Sequence, residues 1–260
     1  MNIKIGKFFG IPLYLNIFTV IIALFILAFA GPFVSIVYNF ALFFVVLHEY
    51  GHCFAALKCN MKAQDVYILP IGGVANITFE CHDPKKEIIV ALAGPLVNVL
   101  LIVIISPFLL LNNQAPTIFI LINCMILAYN LLPIHPLDGG RVLRATLSLF
   151  LDYASATWWA VRIGQTLGVF VILTAIHFGF YMMALVTGVI CFFSQYEIAE
   201  AYFMQSIINL KKKLALDLNK PELANAKFSE IVTILETIDD EKVKQDLKVD
   251  DLLVIFKSLA

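Results

Sequence analysis

His48-Glu49-Tyr50-Gly51-His52 is the stretch of this sequence best suited to chemistry. On a helix, residues four apart share a face, so His48 and His52 can grip one divalent ion between them. Glu49, next to the first ligand, is placed to take a proton from an attacking water as a general base. The stretch lies within an apolar run from Phe33 to Leu57. Ionisable groups in such a run are costly in lipid and mark a functional site. The first expectation is a metal-dependent hydrolase built into a membrane.

A catalytic metal of this kind takes three protein ligands and keeps one position open. The third candidate is Asp138, in Asn130-Leu131-Leu132-Pro133-Ile134-His135-Pro136-Leu137-Asp138-Gly139-Gly140-Arg141. Pro133 and Pro136 cannot continue a helix, and Gly139 and Gly140 permit close backbone approach behind the aspartate. Glu197, at the end of a later apolar run, is a rival ligand. His135 suits either ligation or a supporting hydrogen bond, whereas His82 and His177 have no local pattern around them. Ligand types alone do not choose zinc over other divalent ions.

The elements that must position these residues follow from composition. Of 260 residues, 61% are hydrophobic and 14% charged, which predicts an integral membrane protein held in a lipid bilayer. Six apolar runs are long enough to read as spans: 11–30, 33–57, 88–111, 117–132, 158–176 and 178–193. Lys4, Lys7, Lys58, Lys62, Lys85, Lys86, Arg141, Arg144 and Arg162 all fall on one side of that layout. The opposite connections carry no Lys or Arg, so both termini are expected in the cytosol. His48 lies ten residues before Lys58, which places the metal about 15 Å below the cytosolic surface and opens the site to that side. Ala28-Phe29-Ala30 resembles a signal-peptide cleavage site, but a retained first helix is the preferred reading.

The connection from Met61 to Lys86 reads as a hairpin dipping back toward the membrane. Gln64–Leu69 and Val74–Phe79 are strand-like, and Pro70-Ile71-Gly72-Gly73 is turn-like. After Glu197 the chain carries nine lysines and eleven acidic residues, with amphipathic helical patterning and a Lys211-Lys212-Lys213 cluster. The expected fold class is therefore an α-helical integral membrane protein with six transmembrane helices, a short membrane-associated β-hairpin and a small cytosolic helical tail. The domains are 1–197 for the six-span unit and 198–260 for the tail, the latter a docking place for a membrane or cytosolic regulator. The formal net charge of −1 says nothing about partners because the charges are unevenly placed, and nothing resembles a basic nucleic-acid surface. Five cysteines form no C-x-x-C pair and read as apolar or loop thiols in a reducing setting, in preference to a redox or metal role.

Taken together, His48-Glu49-Tyr50-Gly51-His52 and Asn130…Pro133…Pro136-Leu137-Asp138-Gly139-Gly140 resemble the site-2 protease family of intramembrane metalloproteases. Ala93-Gly94-Pro95-Leu96-Val97-Asn98 is similar to that family's A-G-P-x-x-N motif, and Leu69-Pro70-Ile71-Gly72-Gly73 to its glycine turn. The six-span layout looks nearest to the stage IV sporulation protease FB branch. The resemblance implies one Zn2+ held by His48, His52 and Asp138, with Glu49 as base. It implies substrates that are membrane proteins, cut in or near a transmembrane segment, and a prokaryotic cytoplasmic membrane as the setting. No PDZ module interrupts the core, and the tail shows no convincing nucleotide-sensing CBS pair.

A transmembrane helix hides its peptide bonds in its own hydrogen bonds and must unwind before water can attack. The unwound backbone needs new partners. An edge strand with Gly72, Gly73, Val74 and Asn76 offers them by strand addition, and Asn130 can clamp a carbonyl. Asn98 and Asn130 also suit plain interhelical hydrogen bonding. Two other classes use the same residues: a metal-ion transporter, which ought to show repeated broken-helix halves, and a catalytically idle protein that binds membrane clients.

Overall fold

The computed structural model describes residues 2–70, 72–78, 83–111 and 114–217. In chain order the elements are β1 (Asn2–Phe8), β2 (Ile11–Asn16), α1 (Ile17–Phe29), α2 (Gly31–Lys58), β3 (Lys62–Leu69), β4 (Gly72–Thr78), α3 (Pro84–Ile105), α4 (Gln114–Asn130), α5 (Asp138–Leu147), α6 (Tyr153–His177) and α7 (Tyr181–Asp217). A short 3-10 turn, Ser106–Leu111, extends α3.

Among the described residues four helices are long and apolar enough to cross a membrane: α2, α3 with its extension, α6 and α7. Two more apolar helices are shorter, α1 with 13 residues and α4 with 17. At 1.5 Å per residue α1 reaches about 20 Å, less than the ~30 Å of a hydrocarbon core. The first apolar run is thus not one helix. Its opening, Ile11–Asn16, is a strand in which Ile11 and Leu13 turn inward and are buried. Asn16 then caps α1 by accepting the Phe18 amide, at 2.9 Å.

The expected hairpin is half of a larger sheet. Four strands run in the order β1-β2-β3-β4, with β2 and β3 parallel and the other pairs antiparallel. Gly72 and Gly73 pair with Leu69 and Ile68, so they belong to the β4 ladder and not to the turn. Phe79 and His82 lie outside the described residues. The sheet packs on α2 through Ile11, Leu13, Val66, Ile68 and Cys53. It also runs deep. The Tyr38 hydroxyl donates to Pro70 O at 3.0 Å, and Tyr38 stands twenty residues, about 30 Å, from Lys58 along α2. Thr19 of α1 donates to Ile68 O at 3.1 Å, tying α1 to the same deep end. β1 leads Asn2 back beside Asn16, at the end of the sheet opposite Lys62.

Downstream, Asp83 caps α3 by accepting from the Lys85 amide at 3.0 Å. Asp152 caps α6 by accepting from the Ser155 amide, which holds its carboxyl below the usual carboxylate range. α5 was not expected as a separate element. α7 is continuous for 37 residues and passes through 197–198 without a break. Residues 218–260, which carry most of the expected tail, lie outside the described residues.

The sheet–α2 contact yields a stability prediction. Ile68→Ala removes a 2%-exposed side chain from that core. It should cost about 2–4 kcal/mol, read as a lower thermal midpoint in detergent.

Candidate metal centre

α2 carries His48, Glu49 and His52 at its buried face, and two glycines decide how near α3 can come. A Cβ on Gly51 would stand 2.7 Å from Val97 Cγ2 and 2.9 Å from Ala93 O. A Cβ on Gly94 would meet the His52 and His48 Nε2 atoms themselves. Hence only glycine at both positions lets α3 lie against the histidine face. The third group arrives from α5. Gly139 and Gly140 press on the Leu131–Leu132 and Ile134–His135 backbone, so the chain folds tightly after Pro133 and Asp138 opens the helix under the histidines.

Three side chains meet there. His48 Nε2 stands 3.0 Å from Asp138 Oδ2 and 3.1 Å from His52 Nε2, and His52 Nε2 stands 3.3 Å from Asp138 Oδ1. Each imidazole spends its other nitrogen elsewhere: His48 Nδ1 donates to Asn98 Oδ1 at 2.6 Å, and His52 Nδ1 donates to Val90 O at 2.7 Å. Both Nε2 atoms therefore present lone pairs, and they face a carboxylate. Electron-rich atoms so close together repel unless a cation lies between them. Ligands about 2.0–2.1 Å from a tetrahedral zinc stand about 3.3 Å apart, and the observed separations fit that edge. These residues could hold a metal ion, and they are the one such group of three among the described residues.

Glu49 is buried beside this group. A Cβ on Gly73 would stand 2.5 Å from Glu49 Cγ and 2.9 Å from its Oε1, so the missing side chain brings β4 against the carboxyl. β4 is the last strand in the sheet order, and among the described residues no strand pairs with its outer edge. Val74 is exposed on it, and Asn76 donates to Asp65 Oδ1 at 2.7 Å. Asn130 ends α4 and donates back to Ile126 O at 3.1 Å. Gly72 sits at the start of β4.

The rival residues stand apart. Glu197, on α7, interacts electrostatically with Arg144 and is not in the group of three. His135 is buried, and neither ring nitrogen has a hydrogen-bond partner among the described residues. His177 ends α6, on the far side of the helices. Arg144, counted above as a cytosolic-side charge, is instead buried and ion-paired with Glu87, its guanidinium 5.2 Å over the Tyr153 ring. That pair joins α3 to α5, the helix bearing Asp138. Sequence reasoning missed it because the partners are 57 residues apart. Asn98 was visible as a polar residue in an apolar run, but its grip on His48 was not.

Two outcomes follow from this geometry. Glu87→Ala, which strands the buried Arg144, should destabilise by about 3–5 kcal/mol, whereas Glu87→Leu with Arg144→Met should recover most of that loss in a thermal melt. Gly94→Ala should abolish stoichiometric metal in the purified protein, measured by elemental analysis, because the added methyl occupies the space between the two Nε2 atoms.

Known proteins resemble the chain in sequence and in fold. Residues 39–117 match peptidase family M50. A zinc metalloprotease of Methanocaldococcus jannaschii is 34% identical over 183 residues, covering 66% of this chain and 53% of that protein. Stage IV sporulation protein FB of Bacillus subtilis is 33% identical over 119 residues, covering 44% of this chain and 41% of that protein. The sporulation branch is thus one of several that the chain resembles. The chain spans about half the length of the first of these curated relatives, and less of the second. The solved site-2 protease from Methanocaldococcus jannaschii matches with a TM-score of 0.58 at 26% identity, covering 76% of this chain and 95% of that one. Residues 39–117 thus match peptidase family M50, and the fold is similar to that of a solved site-2 protease.

Proposed function

We propose that this chain is an intramembrane zinc metalloendopeptidase that hydrolyses peptide bonds in or near the transmembrane segments of membrane-protein substrates. The observation that carries the reading is the placement of Glu49 between the His48–His52–Asp138 group and the unpaired edge of β4. One Zn2+ held by those three ligands would polarise a scissile carbonyl and acidify water at neutral pH.

The rest of the work falls to the chain's own groups. The outer edge of β4, at Gly72, Gly73, Val74 and Asn76, pairs with substrate backbone that has left its helix. Because Gly73 has no side chain, that backbone lies within reach of Glu49. Glu49 accepts the proton of the attacking water and returns it to the departing amine. Asn130 offers an amide at the end of α4, after it releases Ile126 O, to orient a substrate carbonyl. Burial of His48, Glu49, His52 and Asp138 keeps bulk water from competing for the hydrogen bonds at that end.

In the bilayer, α1 and α4 join the four longer helices as crossings, with β2 completing the path of α1 and giving six passes. The side bearing Lys58, Lys62, Lys85, Lys86 and Arg141 faces the cytosol of a prokaryote, so the site draws its water from there. β1 carries Asn2 back along β2, so Phe9-Gly10 is the part of the N-terminal segment nearest that side. The catalytic unit is 1–197. Residues 198–260 reach into the cytosol on the far part of α7, where a regulator can bind.

Glu49→Gln should retain stoichiometric zinc and lose cleavage of a co-expressed single-span substrate by at least about a thousandfold, assayed by sequencing new termini. Full cleavage by that variant would remove Glu49 from the chemistry. Asp138→Asn should lose both metal and cleavage; if Glu197→Gln did so instead, the third ligand would be Glu197.

A further inference from the structure

We propose that Asn123 is a positioning residue for the metal centre, acting through Asn98 on the orientation and tautomer of His48. It lies on α4, outside the group of three, and is fully buried like Asn98.

The hydrogen bonds form a chain with a single direction. The Asn123 amide nitrogen donates to Phe119 O at 2.9 Å, so its Oδ1 must face the other way. That oxygen accepts from Asn98 Nδ2 at 2.9 Å. Asn98 Oδ1 is thereby turned toward α2, where it accepts from His48 Nδ1 at 2.6 Å. An imidazole that donates through Nδ1 presents a lone pair at Nε2, the atom that faces His52 and Asp138. Each link fixes the next: a helix carbonyl sets one amide, that amide sets a second, and the second sets the histidine.

Burial gives the chain its force. An amide can rotate its oxygen and nitrogen in place with no change of shape, and water would satisfy either choice. Here both amides are 0% exposed and surrounded by apolar helices, so a reversed amide would leave a donor facing a donor. With Asn123 replaced by an apolar side chain, Asn98 Nδ2 has no acceptor from α4 and the Asn98 amide loses its fixed sense. His48 can then lose its Nδ1 acceptor and, with it, the preference for the tautomer that leaves Nε2 open. His52 has its own anchor in Val90 O and is unaffected. The effect is therefore confined to one of three ligands, which predicts weaker metal binding and not a vanished site.

This inference rests on the metal-centre reading, and one set of measurements separates the two. The full chain is purified in detergent, stripped, and titrated with Zn2+ against a chromophoric chelator. Wild type should bind one ion and His48→Ala none at the same concentrations; wild-type protein that binds no ion overturns the centre itself. With the centre intact, Asn123→Leu, which has the same branched skeleton but no acceptor, should bind Zn2+ about tenfold more weakly or worse. Asn123→Asp, which in its protonated form keeps a donor toward Phe119 O and an oxygen toward Asn98, should stay within about threefold of wild type. In an Asn98→Ala background, Asn123→Leu should cause no further loss, because the connection is already cut. Wild-type affinity in Asn123→Leu overturns the inference. So does an equal loss in Asn123→Asp, or a loss that persists in the Asn98→Ala background, since either would mean that Asn123 acts through packing.

Discussion

Two imidazole nitrogens and a carboxylate, held about 3 Å apart, are the constraint on which the rest of this fold depends. Nothing in an apolar helix bundle favours bringing such atoms together. A cation between them would offset that cost, and a surround of directed hydrogen bonds holds the three side chains in place. Gly51 and Gly94 let α2 and α3 approach, Asn98 and Val90 O orient the rings, and the glycine pair after Asp138 delivers the carboxylate. Each device is small. Together they make a polar cluster stable where lipid would otherwise expel it.

The sheet answers a different requirement. Backbone hydrogen-bonding groups at membrane depth must be paired, buried in protein or wetted. The two inner strands have a neighbour on each side, and Ile11 and Leu13 of β2 with Val66 and Ile68 of β3 pack on α2. β4 keeps an edge, and Gly73 sets that edge against Glu49. An unpaired strand edge is ordinarily a liability, and beside Glu49 it would serve the proposed peptidase as a docking line. The Glu87–Arg144 pair has a similar dual character: costly to bury, yet it ties the helix of Asp138 to α3.

How much of this was legible depended on range. The four-residue spacing of His48 and His52 needs only one helix turn, so it could be read directly. Asp138 announced itself through Pro133, Pro136 and the glycine pair, all within a few residues. The span beginning at Ile11 was misread as helix throughout because a short apolar run fits a buried strand as well as a helix. The alternation of Ile11, Leu13 and Leu15 with Pro12, Tyr14 and Asn16 was present, but it is brief. Partner choice over long separations was not legible at all: nothing local joins Asn98 to Asn123, Glu87 to Arg144, or β2 to β3. Gly73 read as a turn residue because glycine has two uses, and only the fold shows that here it yields space to a carboxyl.

α7 adds a mechanical property to this chemistry. Its 37 residues extend about 55 Å, well beyond the ~30 Å of hydrocarbon it has to cross. It contains no proline and runs without interruption, so it has no hinge where a pull at one end could be absorbed. Its membrane half is fastened to α6 where Gln165 donates to Cys191 O and to Ser194, and its outer half where Gln205 accepts the Tyr153 amide at the start of α6. Tyr153 in turn lies under Arg144, on the helix that begins with Asp138. A load applied near Asp217 thus travels as tilt of a stiff rod, and its first fulcrum lies one ring and one guanidinium away from the helix that begins with Asp138.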